Sequence, residues 1–360
     1  MTTRRWAGFD WPLVFAIVSL CVIGSVEIYY ATRSAGPGII RNHLVRMALG
    51  SVIFLVMSFV PFRKLFSLAY FVYLGALFVL VLVLIFGKTI NASKSWIGFG
   101  GVVFQPSETV KLVLILVLAK FLSDFGETYL GFYSFAKLAG LVAVPFALIL
   151  LQHDLGTAIT LVPLLAGITL LAGVRRKILV GLAVLGLFAA LTGWHLLQSY
   201  QKARIKVLMD LESDPQRIGY QTIQAIIAIG SGGMTGKGLG KGSQGTMGFL
   251  PENHTDFIFA LICEEMGMVG SGAVLLLYAL LLHRGFRLAH DSPDRRIMYT
   301  AFGISILYAF HFVSNVGMNL GLIPVIGIPL PPLSYGGSSL VTFFFAMGLL
   351  NNFYRNREIR

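Results

Sequence analysis

Runs of about 20 predominantly apolar residues recur along almost the whole chain, separated by short connections, and this repeat restricts the fold more than any other feature. A helix rises about 1.5 Å per residue, so roughly 20 residues cross the hydrocarbon core of a bilayer with every backbone amide satisfied inside the helix. The spacing predicts helices near 12–31, 44–60, 67–87, 106–123, 136–152, 157–173, 178–198, 266–283, 297–318 and 338–354. The expected fold class is therefore an all-α polytopic membrane protein of about ten transmembrane helices. Residues 1–360 read as a single membrane domain, with a large extracytoplasmic loop, 199–255, between helices 7 and 8. Only 12% of the residues are charged, against about a quarter in a soluble domain, so water is not the solvent for most of this surface. The first apolar run follows Arg4 and Arg5 as in a signal peptide, but it is long and lacks a convincing small-residue cleavage site, so it reads as a retained anchor.

The formal net charge of +12 could suggest nucleic acid, but the basic residues sit in short clusters between apolar runs and form no basic face, so no nucleic-acid partner is expected. Their distribution is a topology signal. Arg4, Arg5, Arg63, Lys64, Arg175, Arg176, Lys177, Arg284, Arg287, Arg295, Arg296, Arg355, Arg357 and Arg360 fall on one side of the predicted bundle, and only Arg33, Arg41, Lys88 and Lys94 fall in the short loops opposite. Basic residues near helix ends resist translocation, so the first side is expected to be cytoplasmic and, with an even helix count, to hold both termini. Two segments then face outwards, 88–105 and the long 199–255. A structureless loop of the second length is unusual, so it is expected to contain amphipathic or re-entrant helix and to be functional. Cys21 and Cys263 are far apart and show neither metal-ligand spacing nor a disulfide framework.

Four polar motifs stand out against the apolar background. The fourth helix opens Pro106-Ser107-Glu108-Thr109-Val110-Lys111, with a carboxylate and an ammonium three residues apart on one face, where they should pair. Ionisable groups inside a membrane are costly and usually face protein or a wet cavity; the alternative is a self-solvating salt bridge. If the two residues only pair, exchanging their charges should preserve folding and part of any activity. In Gln152-His153-Asp154-Leu155-Gly156-Thr157, Asp154 can cap the sixth helix or serve a site. His195 and His311, isolated on apolar runs, read as hydrogen-bonded packing residues, and no spacing supports a structural metal site.

The densest polar cluster at an outer helix start is Phe249-Leu250-Pro251-Glu252-Asn253-His254-Thr255-Asp256-Phe257. Thr255 or Asp256 can cap the following helix. The functional alternative makes Asp256 a general base at the membrane edge, with Glu252 and His254 near enough to tune it or hold a cation. Upstream, Gly240-x-Gly242-x-x-Gly245 matches a dinucleotide fingerprint in form only, since it follows no strand and opens no βαβ unit. The glycines are better read as a flexible outer loop whose Lys237 and Lys241 approach an anionic lipid head group. The last motif lies between helices nine and ten, Asn315 to Gly321 and then Pro324 to Ser339, and is long, uncharged and rich in proline. At membrane depth such backbone must be covered by protein or line a cavity.

These motifs together resemble the SEDS family (shape, elongation, division and sporulation). The resemblance runs nearly the whole chain and rests on His153 to Thr157, on Gly219-Tyr220-Gln221 through Ile229 to Gly233, on Phe249 to Ala260, and on Pro331 to Ser339. Pro324-Val325-x-Gly327-x-Pro329-Leu330-Pro331 and Phe249 favour the elongation branch; Pro332 departs from the family pattern, which expects an aliphatic or aromatic residue there. The resemblance implies a peptidoglycan glycosyltransferase of the bacterial cytoplasmic membrane. It would polymerise the lipid-linked precursor lipid II into a growing glycan strand on the outer face, beside a class B penicillin-binding protein. Asp256 then matches the family's essential aspartate, and Glu108 and Lys111 its polar pair. Asp154, Glu252, His254, Lys237, Lys241 and Ser334 complete the candidate substrate-binding set. A divalent cation, Mg²⁺ or Mn²⁺, is expected to help stabilise the departing diphosphate. A lipid II flippase and a non-catalytic scaffold of the cell-wall machinery are the rival readings.

Overall fold

The computed structural model describes residues 8–33, 36–90, 93–99, 102–124, 129–175, 218–246 and 248–356, with residues 178, 180, 181, 202 and 206 between them. The chain runs through α1 (Trp11–Ala31), α2 (Gly38–Phe59) and α3 (Phe62–Phe86), then β1 (Lys88–Ile90), β2 (Ser93–Phe99) and β3 (Val102–Phe104). It continues through α4 (Pro106–Ser123), α5 (Phe132–Leu151), α6 (Leu155–Ile159), α7 (Leu161–Ala172), α8 (Ile218–Ser231) and α9 (Ser243–Thr246). The last three helices are α10 (Ile258–Asp291), α11 (Arg295–Asn319) and α12 (Gly337–Asn356). Among the described residues, seven helical stretches are long and apolar enough to cross a membrane, with α6 and α7 forming one of them. The expected helix at 178–198 and its His195 lie mostly outside the described residues, as do Arg204 and Asp210 to Arg217 of the long loop.

α4 is the axis of the bundle. Fourteen of its eighteen residues are buried, including Glu108 and Lys111, and it packs against α3, α5, α11 and α12. By contrast α2 and α3 turn most of their apolar side chains outwards, as a lipid-facing helix must. At one end of the bundle Asp10 takes the Arg284 guanidinium at 2.9 Å, Arg296 approaches Asp124 at 3.4 Å, and Arg355 donates to the Ser58 carbonyl at 2.6 Å. The opposite end gathers the start of α4, the α5–α6 hairpin, the turn before α10 and the proline-rich segment before α12.

Three departures from the sequence expectation bear on that second end. The segment 88–105 contains a small antiparallel sheet in the order β1-β2-β3, which the Lys94 amide ties to the Gln152 carbonyl at 2.9 Å. α10 begins at Ile258, eight residues before the apolar run predicted at 266, and bends at Gly267, whose φ of 65° and ψ of −163° interrupt the helix. The glycine-rich run is folded onto this bend and is not a loose loop. Lys237 and Gly238 donate their amides to the Glu264 and Glu265 carbonyls at 3.0 Å, and Met268 donates to Gly233 at 2.9 Å. A side chain on Gly232 or Gly267 would collide with backbone of the facing segment, so glycine serves close approach here. The helix expected in the long loop is present: α8 packs Ala225 and Ala228 against Leu250, Phe257, Ala260 and Met318.

Candidate active site

The centre of the site is the turn that launches α10. Glu252 adopts φ 52°, and its carbonyl accepts from the amides of Thr255, Asp256 and Phe257, which winds the backbone tightly around it. The position before Ile258 is Phe257, with no side-chain cap of its own, and the Thr255 hydroxyl turns back to Glu252. The capping oxygen arrives from another helix, because the Asn319 Oδ1 accepts from the Ala260 amide at 3.0 Å. The Asp256 carbonyl accepts from Asn315 Nδ2 at 2.9 Å and Asn319 Nδ2 at 3.0 Å. Its side chain faces Gly327, where a Cβ would stand 3.5 Å from the Asp256 Oδ2.

Beside Asp256, Glu252 is exposed and its Oε2 accepts from the Thr255 hydroxyl at 3.0 Å. His254 lies over Tyr335 with ring centroids 5.6 Å apart, and its Nδ1 is 3.1 Å from the Asn253 Oδ1. Burial lowers the His254 pKa below the usual imidazole value, with the Glu252 charge opposing, so the ring is neutral at pH 7. The Arg46 guanidinium of α2 sits over the other partner of that ring, 5.0 Å from the Tyr335 centroid, and adds a positive charge at this end of the bundle.

One layer deeper, Glu108 and Lys111 pair as expected, Nζ to Oε1 at 2.7 Å, both buried. His311 joins them. Its Nε2 is 3.2 Å from the Lys111 Nζ, and its Nδ1 is 3.0 Å from the Pro329 carbonyl. The carbonyl can only accept and the ammonium can only donate, so the ring is neutral with its proton on Nδ1. Asp154 both caps and connects: Oδ1 accepts from the Thr157 amide at 3.1 Å, and Oδ2 accepts from Gln105 Nε2 at 2.6 Å. Burial raises its pKa, the hydrogen bonds from Thr157 and Gln105 pulling the other way. The Gln105 amide in turn donates to Ser338 at the start of α12, 2.7 Å.

The remaining sequence candidates lie elsewhere or serve the backbone. Ser334 is buried, and its Oγ accepts from the Leu330 amide at 2.8 Å, closing the proline-rich turn. Lys237 is held by Glu264 Oε1 at 2.7 Å on the flank of α10, while Lys241 is exposed on the same glycine-rich run. The sequence did not single out Arg46 or Gln105; it marked Asn315 to Gly321 as polar without a role for Asn315 or Asn319, and His311 as a hydrogen-bonded packing residue. His311, Asn315 and Asn319 recur every four residues on an otherwise apolar helix, a signal that was present. Among the described residues no three His, Cys, Asp or Glu side chains converge to form a metal site.

The profile of the FtsW/RodA/SpoVE cell cycle proteins matches residues 9–359. The chain belongs to this family. The peptidoglycan glycosyltransferase MrdB of Escherichia coli strain K12 is 34% identical over 97% of this chain and 94% of its own length. A chain of a peptidoglycan synthase complex, solved to explain how polymerization and crosslinking are coordinated, superposes with a TM-score of 0.87 at 33% identity, covering 99% of this chain and all of that one. The rod shape determining protein RodA of Thermus thermophilus superposes with a TM-score of 0.75 at 31% identity over 99% of this chain and 100% of its own. Within the family the chain is RodA-like, as its motifs indicated.

Proposed function

We propose that this peptidoglycan glycosyltransferase polymerises lipid II into glycan strands on the outer face of the bacterial cytoplasmic membrane, with both termini inside and a class B penicillin-binding protein as partner. Glycosyltransferase activity follows from family membership and from relatives that carry it in their names. The basic end of the bundle, with Arg284, Arg287, Arg295, Arg296 and Arg355, supports the orientation. The partner is supported by the likeness to a chain from a synthase complex that couples polymerization to crosslinking.

One observation carries the mechanism: Asp256 and Lys111 stand against the same proline-rich segment, Asp256 at Gly327 and Lys111 through His311 at Pro329. A carboxylate beside an open glycine can take the proton of an attacking sugar hydroxyl as the new bond to the anomeric carbon forms. The bond from that carbon to the lipid diphosphate breaks in the same step, and fixed positive charge stabilises the leaving group. One carboxylate that faces Gly327, with Glu252 turned to the Thr255 hydroxyl, supports single displacement with inversion. Among the described residues the protein groups do not make a self-sufficient metal site, but Mg²⁺ is commonly bound by one or two carboxylates together with substrate phosphates and water. Asp256, with Glu252 near it, would be the protein side of such a site, and the cation would neutralise charge on the diphosphate.

The test is polymerisation of purified lipid II by the chain in complex with its penicillin-binding partner, with Mg²⁺, with Mn²⁺ and after chelation. Wild type should make glycan strands, and a folded Asp256→Asn variant should lose about a hundredfold or more of the rate. Strands from Asp256→Asn at the wild-type rate would remove it as base, and none from the wild-type complex with either metal would refute the reading.

A further inference from the structure

The mechanism above needs a carboxylate aimed to within a fraction of an ångström, yet Asp256 sits in a turn, one residue outside the helix cap. In an uninterrupted helix the Asp256 carbonyl would accept from the Ala260 amide. Here the Asn319 carboxamide is inserted between them: Oδ1 accepts from Ala260 N at 3.0 Å, and Nδ2 donates to Asp256 O at 3.0 Å. One amide thus splints a helical bond that is not made, and it holds the turn open at a fixed width. Asn315, four residues earlier on α11, donates to the same Asp256 carbonyl and also to the Ile328 carbonyl, both at 2.9 Å. Ile328 adjoins Gly327, the residue that faces the Asp256 carboxylate. Asn315 therefore fixes the carboxylate's backbone and the wall opposite it with one side-chain nitrogen. Both asparagines are wholly buried, and Asn319 Nδ2 further donates to the Asn315 carbonyl at 2.8 Å, so neither has room to turn.

We propose that Asn315 and Asn319 are positioning residues for the glycosyl transfer, setting the direction of the Asp256 carboxylate through its carbonyl. The inference rests on Asp256 being the base. A purely structural role for Asn319 would need only the Oδ1 that caps α10. The Nδ2 bond to the Asp256 carbonyl adds nothing to the capping of the Ala260 amide and fixes the placement of residue 256. A misplacement of about 1 Å in a reacting group can cost about a hundredfold in rate, so a loosened turn should register in kcat.

Asn319→Asp separates the two roles. It keeps an oxygen for the Ala260 amide and replaces the Nδ2 donations by an oxygen set against the Asp256 and Asn315 carbonyls. Asn315→Ala removes the second clamp. Each is assayed as the complex with the penicillin-binding partner, for kcat and KM on lipid II, per folded molecule by size exclusion and thermal unfolding. The expected result is a fall in kcat of at least about tenfold, about 1.4 kcal/mol of barrier, in both variants, with KM within about twofold, each read on the folded fraction because Asn319→Asp also loses stability. Turnover per folded molecule within twofold of wild type in Asn319→Asp overturns the proposal, as does a rise in KM at constant kcat. Loss of folding in both variants also overturns it, since the pair would then serve the fold. Asp256→Asn and wild type run alongside. Wild type active, Asp256→Asn dead and the asparagine variants active defeats this inference alone; an active Asp256→Asn or an inactive wild type defeats the assignment of the base first, and this inference with it.

Discussion

Replacing Lys111 by Met should destabilise the protein more than replacing Lys111 and Glu108 together. The two charges stand 2.7 Å apart, which at an effective dielectric of about 20 corresponds to an attraction of about 6 kcal/mol. Taking both ions out of water costs several kcal/mol each, so the intact pair is near balance. Lys111→Met alone leaves the buried Glu108 carboxylate without its cation, a loss of about 3–5 kcal/mol. Glu108→Leu with Lys111→Met removes both charges, a change that is often neutral or stabilising, and leaves only the His311 Nε2 short of a donor, about 1–3 kcal/mol. A double-mutant cycle by reversible unfolding in one detergent should give a coupling of at least about 2 kcal/mol. Additivity within about 0.5 kcal/mol would refute this reasoning. The charge exchange Glu108→Lys with Lys111→Glu is a sharper probe than the sequence suggested. A carboxylate at position 111 would meet the His311 Nε2, which has no proton to offer while Nδ1 donates to Pro329. The exchange should polymerise lipid II no better than Lys111→Met, and recovery of half the wild-type rate would show that the pair merely neutralises itself.

Gly327→Ala should reduce polymerisation in a protein that still folds, because φ is +71° and the new methyl would lie 3.5 Å from the Asp256 Oδ2; the backbone strain is about 1–2 kcal/mol by thermal unfolding, and an unchanged rate would count against the placement of Asp256. Lys237→Met should strip Glu264 of its cation and raise hydrogen exchange across residues 232–246, since Glu264 is fully buried while Lys237 is partly exposed; unaltered exchange would show that the backbone bonds alone hold the run. His254 has a lowered native pKa, so the unfolded chain binds its proton first. The stability it contributes is present above about pH 6.5 and is lost as pH falls towards the native value, and His254→Gln should flatten that slope in unfolding measured from pH 7.5 to 5.

The sequence made the membrane helices legible because length and apolarity decide them locally. It also exposed the Glu108–Lys111 pair and the Asp154 cap, whose partners lie three residues away. What it concealed depends on partners distant in the chain. Glu264 and Glu265 break the apolar run and hid the first two turns of α10, since their neutralising contacts, Lys237 and the Gly240 amide, come from 27 and 25 residues upstream. The cap on α10 comes from 59 residues downstream, so the local choice between Thr255 and Asp256 could not have found it. The glycine-rich run looked flexible because glycine is permissive in isolation. Its conformation is imposed by the carbonyls of a bent helix that local reading could not supply.

The proline-rich segment shows how irregular backbone survives at this depth and why it suits the site. Pro324, Pro329, Pro331 and Pro332 carry no amide hydrogen, so four donors that would need partners are absent from the outset. From Ile328 onwards several of the carbonyls and amides that remain are met individually: the Ile328 carbonyl by Asn315, Pro329 by His311, Pro331 by the Tyr278 hydroxyl, the Leu330 amide by Ser334 and the Tyr335 amide by the His254 carbonyl. Each partner belongs to α10, to α11, to the Asp256 turn or to the segment itself. At the proposed site the wall from Ile328 to Tyr335 therefore presents dipoles that are already fixed, the condition under which electrostatic stabilisation costs no reorganisation during reaction. Adjustment on the protein side is left to the exposed Glu252 and to whatever the proposed substrate brings with it.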